Sequence, residues 1–66
     1  MKIGIIGLGR VFDHYVKNFI NETFLSQNEI ILCDSNLELL NDYSEKLNCN
    51  SCQKIEQLIS QKPNFV

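Results

Sequence analysis

Long apolar runs are absent from this 66-residue sequence. A helix that crosses a bilayer needs roughly 18 or more consecutive apolar residues. The longest apolar stretch, residues 3–8, is far shorter and contains two glycines. It also lacks the small-residue cleavage site of a secretory signal peptide. We therefore expect no membrane association and a cytoplasmic protein, whose three cysteines remain thiols in a reducing compartment.

The sequence also has no excess of basic residues. Six Lys and Arg against eight Asp and Glu give a formal net charge of −2, whereas non-specific nucleic-acid binding requires a basic surface. The balance therefore argues against a nucleic-acid partner. Repeats, low-complexity tracts and linkers are absent as well, so one small domain is expected. Such a domain is marginally stable, and an oligomer is one source of extra stability.

Metal ligands are too few and too scattered for a metal site. Cys49 and Cys52 form a C-x-x-C pair, but a structural zinc ion needs four ligands. The other candidates, Cys33 and His14, belong to different predicted elements. The sequence favours two free thiols beside a short strand, with a redox pair as the alternative. His14 falls on the polar face of the first predicted helix, where we expect a solvated side chain and not a catalytic base.

What the sequence does contain is a strand, a glycine turn and a helix at its start. Residues 3–6 predict a short buried strand that ends at Gly7 and Gly9. From Val11 to Phe24 the apolar residues recur at helical spacing, which predicts a single amphipathic helix.

The remainder of the chain alternates in the same way. Residues 29–33 predict a second strand, and Asn36 is placed to cap a second helix. Residues 48–52 leave room for a very short third strand, residues 55–59 indicate a third helix that Pro63 closes, and residues 64–66 begin a fourth strand. The order β-α-β-α-β-α-β predicts parallel strands joined by right-handed crossovers. The expected fold class is α/β, a partial Rossmann-like parallel sheet with incomplete layers.

The glycine turn is typical of a binding site for the pyrophosphate of a dinucleotide. Gly7 allows the tight turn, and Gly9 lets the backbone approach the phosphates because it has no Cβ. The amides of Gly9, Arg10 and Val11 would then donate to the phosphate oxygens at the positive end of the helix. The Arg10 side chain could reach the pyrophosphate or the adenine, or could equally be a solvated first-turn residue.

Asp34 ends the second predicted strand, 25 residues after Gly9, close to the spacing of about 20 seen in dinucleotide-binding folds. Its carboxylate can accept hydrogen bonds from the adenosine ribose and would repel a 2′-phosphate, which favours NAD over NADP.

Phe12 departs from the glycine pattern of dinucleotide-binding turns, because a glycine or alanine usually occupies the third glycine position of that pattern. Its ring must either push the helix outward or turn into the core beside Ile30 and Leu32.

These motifs resemble the N-terminal half-domain of the glucose–fructose oxidoreductase/inositol dehydrogenase family. The resemblance rests on Lys2-Ile3-Gly4-Ile5-Ile6-Gly7-Leu8-Gly9-Arg10, on Leu32-Cys33-Asp34, on the helix Ile55-Glu56-Gln57-Leu58-Ile59, and on the closing Pro63-Asn64-Phe65-Val66. It implies an NAD(P)-dependent oxidoreductase that acts on a sugar, a sugar nucleotide or a polyol. It also implies that Gly7, Gly9, Arg10 and Asp34 contact the cofactor.

The same resemblance implies that residues 1–66 form only the N-terminal part of a dinucleotide-binding domain. The family's lysine–proline catalytic motif would lie beyond Val66. Lys62-Pro63 is not that motif, because it precedes the fourth strand, whereas the family's lysine follows a later strand. We therefore expect no catalytic residue here, a chain inactive alone, and a small-molecule substrate only for the intact protein. Two alternatives remain: a non-catalytic module that senses a nucleotide, and a truncated reading frame without function. β-Hydroxyacid dehydrogenases begin with a similar sequence pattern, but we would expect a small residue near the position of Val11 or Phe12.

Overall fold

A computed structural model describes all 66 residues. The chain contains three strands and four helices in the order β1 (Lys2–Ile6), α1 (Arg10–Asn18), α2 (Glu22–Gln27), β2 (Glu29–Cys33), α3 (Leu37–Leu47), β3 (Asn50–Cys52) and α4 (Ile55–Ser60). The mixed α/β class predicted from the sequence is confirmed.

The three strands form one parallel sheet in the order β1-β2-β3. The register places Ile6 beside Cys33, and Cys33 beside Cys52, so the carboxyl ends of all three strands meet at one edge. The predicted fourth strand is reduced to a single parallel bridge, in which Phe65 lies next to Ile3 on the outer side of β1. There the Gly4 amide donates to the Phe65 carbonyl oxygen at 2.7 Å.

Helices cover both faces of the sheet because alternate residues of β2 point in opposite directions. Ile30 and Leu32 face one cluster, which also contains Leu8, Phe12, Leu40 and Leu47 from the glycine turn, α1 and α3. Ile31 and Cys33 face the other cluster, with Cys52 and with Leu58 of α4. The crossovers therefore place α1 and α3 on one face and α4 on the opposite face.

The first predicted helix is wrong in its length, since two helices replace it. Helix α1 ends near Phe19, where the amides of Phe19 and Ile20 both donate to the Tyr15 carbonyl oxygen. The Asn21 side chain then accepts a hydrogen bond from the Phe24 amide at 2.9 Å and starts α2. An asparagine that caps a new helix competes with continuation of the old one, and apolar periodicity does not register this competition.

Strand β1 is less buried than its apolar sequence predicts. Ile6 remains 47% exposed, whereas Gly4, two positions earlier on the same face, lies against Leu58 of α4. The Gly4 position has no room for a side chain, since a Cβ there would lie 2.8 Å from Leu58 Cδ1.

The start of α3 confirms the predicted cap. The Asn36 side-chain oxygen accepts a hydrogen bond from the Leu39 amide at 3.2 Å, which satisfies one of the unpaired donors of the first turn. No helix of the structure has the length and apolar character that a membrane span requires.

Candidate functional site

The turn between β1 and α1 is anchored on both sides. Gly7 has φ of +88°, a conformation that side-chain-bearing residues rarely adopt. Its amide donates to the Cys33 carbonyl oxygen at 2.9 Å, which continues the pairing of β1 and β2 into the turn. Leu8 is only 1% exposed and packs into the core. The turn is therefore held in one conformation by backbone geometry and by one buried side chain.

The amides that follow this turn have no partner within the chain. Gly9 is the N-cap of α1 and supplies no side-chain hydrogen bond. The first hydrogen bond of the helix runs from the Asp13 amide to the Gly9 carbonyl oxygen at 3.1 Å. The amides of Gly9, Arg10 and Val11 are left as unused donors on exposed residues. These are the three amides that the sequence predicted would face phosphate oxygens.

Nothing in the chain occupies the space beside Gly9. A Cβ at this position would meet no atom within 4 Å, and the residue has a φ of −83°. Gly4 and Gly7 have internal reasons for being glycine, in packing and in backbone conformation respectively. At Gly9 neither packing nor backbone conformation requires glycine, which leaves the open space beside it to a ligand or to solvent.

Asp34 lies immediately after β2 and contacts the same turn. One carboxylate oxygen accepts from the Asn36 amide at 2.7 Å, and the other from the Leu8 amide at 2.8 Å. These two hydrogen bonds, that from Asn36 first, hold the pKa of Asp34 below its ordinary value. An ionised carboxylate is thus present at the glycine turn at neutral pH. The bond to Leu8 was not predicted from the sequence, because it joins residues 26 positions apart.

Phe12 turns into the core, the second of the two arrangements considered for it. It is 4% exposed and shares a cluster with Ile30 and Leu32. The ring of Tyr43 on α3 meets it edge-on, with centroids 4.8 Å apart. A large residue at the third position of the glycine pattern is therefore accommodated between α1 and α3 without blocking the turn.

A polar network joins α1 to α3, and the sequence patterns did not predict it. Asp13 accepts a hydrogen bond from the Tyr43 hydroxyl at 3.0 Å and forms an ion pair with Lys17 at 2.9 Å. The hydrogen bond from Lys17, followed by that from Tyr43, lowers the pKa of Asp13. The acidic charge in the first turn of α1 is thus paired. The spacing of Asp13 and Lys17 could have indicated the ion pair, but nothing in the sequence indicated Tyr43.

The remaining singled-out residues are exposed residues of α1 and the three cysteines. Arg10 and Val11 are exposed at the start of α1, and Arg10 forms no ion pair. His14 is exposed on α1 beside Asn18, as expected of a solvated side chain. All three cysteines are free thiols.

Comparison with known proteins adds no assignment. The chain matches no protein-family model, no curated protein and no solved structure. The geometry of the turn and of Asp34 is therefore the basis for a functional proposal.

Proposed function

We propose that this chain binds the adenosine and pyrophosphate portion of a dinucleotide, with NAD preferred to NADP. One observation carries the proposal: the unused amides of Gly9, Arg10 and Val11 adjoin a turn that the ionised Asp34 carboxylate also contacts. Both groups that a nucleotide needs, amide donors and a carboxylate acceptor, belong to the carboxyl edge of the sheet.

The pyrophosphate would be bound by amide donors and by the helix. The three amides point from the N-terminal end of a nine-residue helix, where the aligned peptide dipoles produce a partial positive charge. Backbone donors at such an end bind phosphate oxygens without a dedicated side chain. Pairing of Asp13 with Lys17 reduces the opposing negative charge in this turn. The exposed Arg10 guanidinium is available as a further donor.

The ribose would be bound by Asp34. Each carboxylate oxygen accepts one backbone hydrogen bond, and a carboxylate offers about four acceptor positions in total. Two positions therefore remain for ribose hydroxyls. A 2′-phosphate at the same place would set its negative charge against an ionised carboxylate, and this repulsion is the reason for the preference for NAD.

The order of the strands supports the same proposal. Together with Phe65, the sheet runs β3, β2, β1 and then the C-terminal bridge. This order is that of the first half of a dinucleotide-binding fold, in which ligands bind where the strand order reverses. The glycine turn follows β1, next to that point. We further propose that the chain is the nucleotide-binding part of an oxidoreductase for a sugar, a sugar nucleotide or a polyol, with its catalytic groups elsewhere.

Titration of the chain with NADH tests the binding site. The sequence has no tryptophan, so nicotinamide fluorescence is measured without tryptophan emission. The decisive variant is Gly9→Ser, because serine is a preferred N-cap residue but places its side chain in the open space beside Gly9. We expect the melting temperature to stay equal or rise while NADH affinity falls at least about tenfold, or about 1.4 kcal/mol.

Asn21→Ser is the matched control. It introduces serine at the N-cap of α2, a helix whose cap already uses a side-chain oxygen. Its NADH affinity should equal that of the unmodified chain. A folded Gly9→Ser chain that binds NADH as tightly as the unmodified chain, or an unmodified chain that binds no NADH, would refute the proposed site.

A further inference from the structure

Cys33 and Cys52 are direct neighbours on two paired strands. They occupy the same register position of β2 and β3, and both belong to the cluster beneath α4. Neighbouring strands lie about 4.8 Å apart, and the Cα atoms of disulfide-bonded cysteines lie about 4.4–6.8 Å apart. Two side chains that share a face at this separation are close enough to be linked.

The cysteines of the C-x-x-C motif are arranged in the opposite way. Cys49 precedes β3 and packs against the cluster formed with α1 and α3, whereas Cys52 packs in the cluster on the other side of the sheet. Side chains three positions apart on an extended segment point to opposite faces. The sheet therefore separates the two thiols of the C-x-x-C motif, and the cysteine beside Cys52 in the structure is Cys33 and not Cys49.

Of the two thiols beneath α4, that of Cys52 is the more accessible to a reagent in solution. This residue is 9% exposed against 2% for Cys33, and it lies in the wall of a surface cleft of about 430 Å³. The cleft is mostly polar, and Asn41, Gln53 and Gln57 are among its lining residues. Burial, and then the neighbouring Cys33 thiol, raises the pKa of Cys52 to about 11. The reactive thiolate of Cys52 is thus scarce at neutral pH and increases in alkaline solution.

We propose that Cys33 and Cys52 form a thiol pair that a low-molecular-weight disulfide such as oxidised glutathione converts to an intramolecular disulfide. The Cys52 thiolate attacks one sulfur of the oxidant, and the first glutathione leaves as a thiolate and takes a proton from solvent. The Cys33 thiolate then attacks Cys52 Sγ in the mixed disulfide, and the second glutathione leaves. The two cysteines lose two electrons and two protons, and the oxidant is reduced to two thiols. The proposal does not depend on nucleotide binding.

Oxidation of the reduced full chain by glutathione disulfide in alkaline buffer tests the pairing. Trypsin places Cys33 in peptide 18–46 and both Cys49 and Cys52 in peptide 47–54. The native chain should yield the two peptides joined by a disulfide, and Cys49→Ser should yield the same product. The chain oxidised in denaturant is the control, and there peptide 47–54 should close on itself because the shortest loop closes at the lowest entropic cost.

Cys33→Ser distinguishes the attacking thiol from the resolving one. In the Cys49→Ser background, which removes the remaining thiol, this variant should stop at one glutathione attached to Cys52, since no second thiol is left to resolve the mixed disulfide. The proposal is overturned if native oxidation links Cys49 to Cys52. It is also overturned if Cys49→Ser forms no bridge, or if the native chain stays reduced under alkaline conditions that oxidise the denatured chain. Absence of glutathione on Cys52 in this double variant would overturn its assignment as the attacking thiol.

Discussion

Replacement of Asp34 with asparagine tests the hydrogen bonds that hold the glycine turn to β2. The Leu8 and Asn36 amides donate to different carboxylate oxygens of Asp34, so asparagine would place an NH2 group, which is a donor, against one of these two donors. A neutral acceptor also forms a weaker bond than a carboxylate. A hydrogen bond contributes about 0.5–1.5 kcal/mol, and more when one partner is charged. We therefore expect Asp34→Asn to lower the free energy of unfolding by about 1–2 kcal/mol.

This loss is measurable because the chain is small. A domain of this length has a total stability of about 3–10 kcal/mol, and 1 kcal/mol corresponds to about 4–8 °C in melting temperature. Thermal unfolding followed by circular dichroism should show a decrease of about 5–15 °C. Asp42→Asn is the control, because Asp42 is exposed on α3 and makes the same change in charge. Equal melting temperatures for Asp34→Asn and the unmodified chain would refute the bonding described for Asp34.

The difference in free energy of unfolding between the unmodified chain and Asp34→Asn should decrease in acid. The amides of Asn36 and Leu8 lower the folded-state pKa of Asp34 below its ordinary value of 3.8. The unfolded chain therefore binds the proton more readily, and the contribution of Asp34 is fully present above the unfolded-state pKa. It is lost as the pH falls through the folded-state pKa. The stability gap between the unmodified chain and Asp34→Asn should be constant near neutral pH and narrow in acid, as urea titrations at several pH values would show.

Two further substitutions test the packing around the site. Gly4→Ala should lower the free energy of unfolding by about 1–3 kcal/mol through overpacking, because the new methyl group would lie 2.8 Å from Cδ1 of the fully buried Leu58. Urea unfolding measures this change. An unchanged free energy of unfolding would mean that the Leu58 side chain can move aside without cost. Phe12→Ala restores the small residue of the glycine pattern, yet it should lower stability by about 3–5 kcal/mol, because the ring fills the core and contacts Tyr43. A Phe12→Ala chain as stable as the unmodified one, by circular dichroism, would show that α1 closes onto the sheet.

Much of the candidate site could be predicted because its residues are close in sequence. The strand, the positive φ of Gly7 and the unused amides of Gly9 to Val11 all follow from local rules of chain geometry. The cap at Asn36 was predicted for the same reason. The break between α1 and α2 was not predicted, because Asn21 caps a helix within a run whose apolar spacing is continuous.

The sequence by itself determined the order of the strands, the parallel class of the sheet and the position of the glycine turn, since these follow from local residue patterns and from helical connections between strands that are too long for hairpins. Only the tertiary structure decided which distant groups meet. It brought the Asp34 carboxylate to the Leu8 amide, turned Phe12 toward Tyr43, and paired Cys52 with Cys33 and not with Cys49. These contacts depend on strand register and on which face of the sheet each side chain occupies, and those are set by packing of the whole chain.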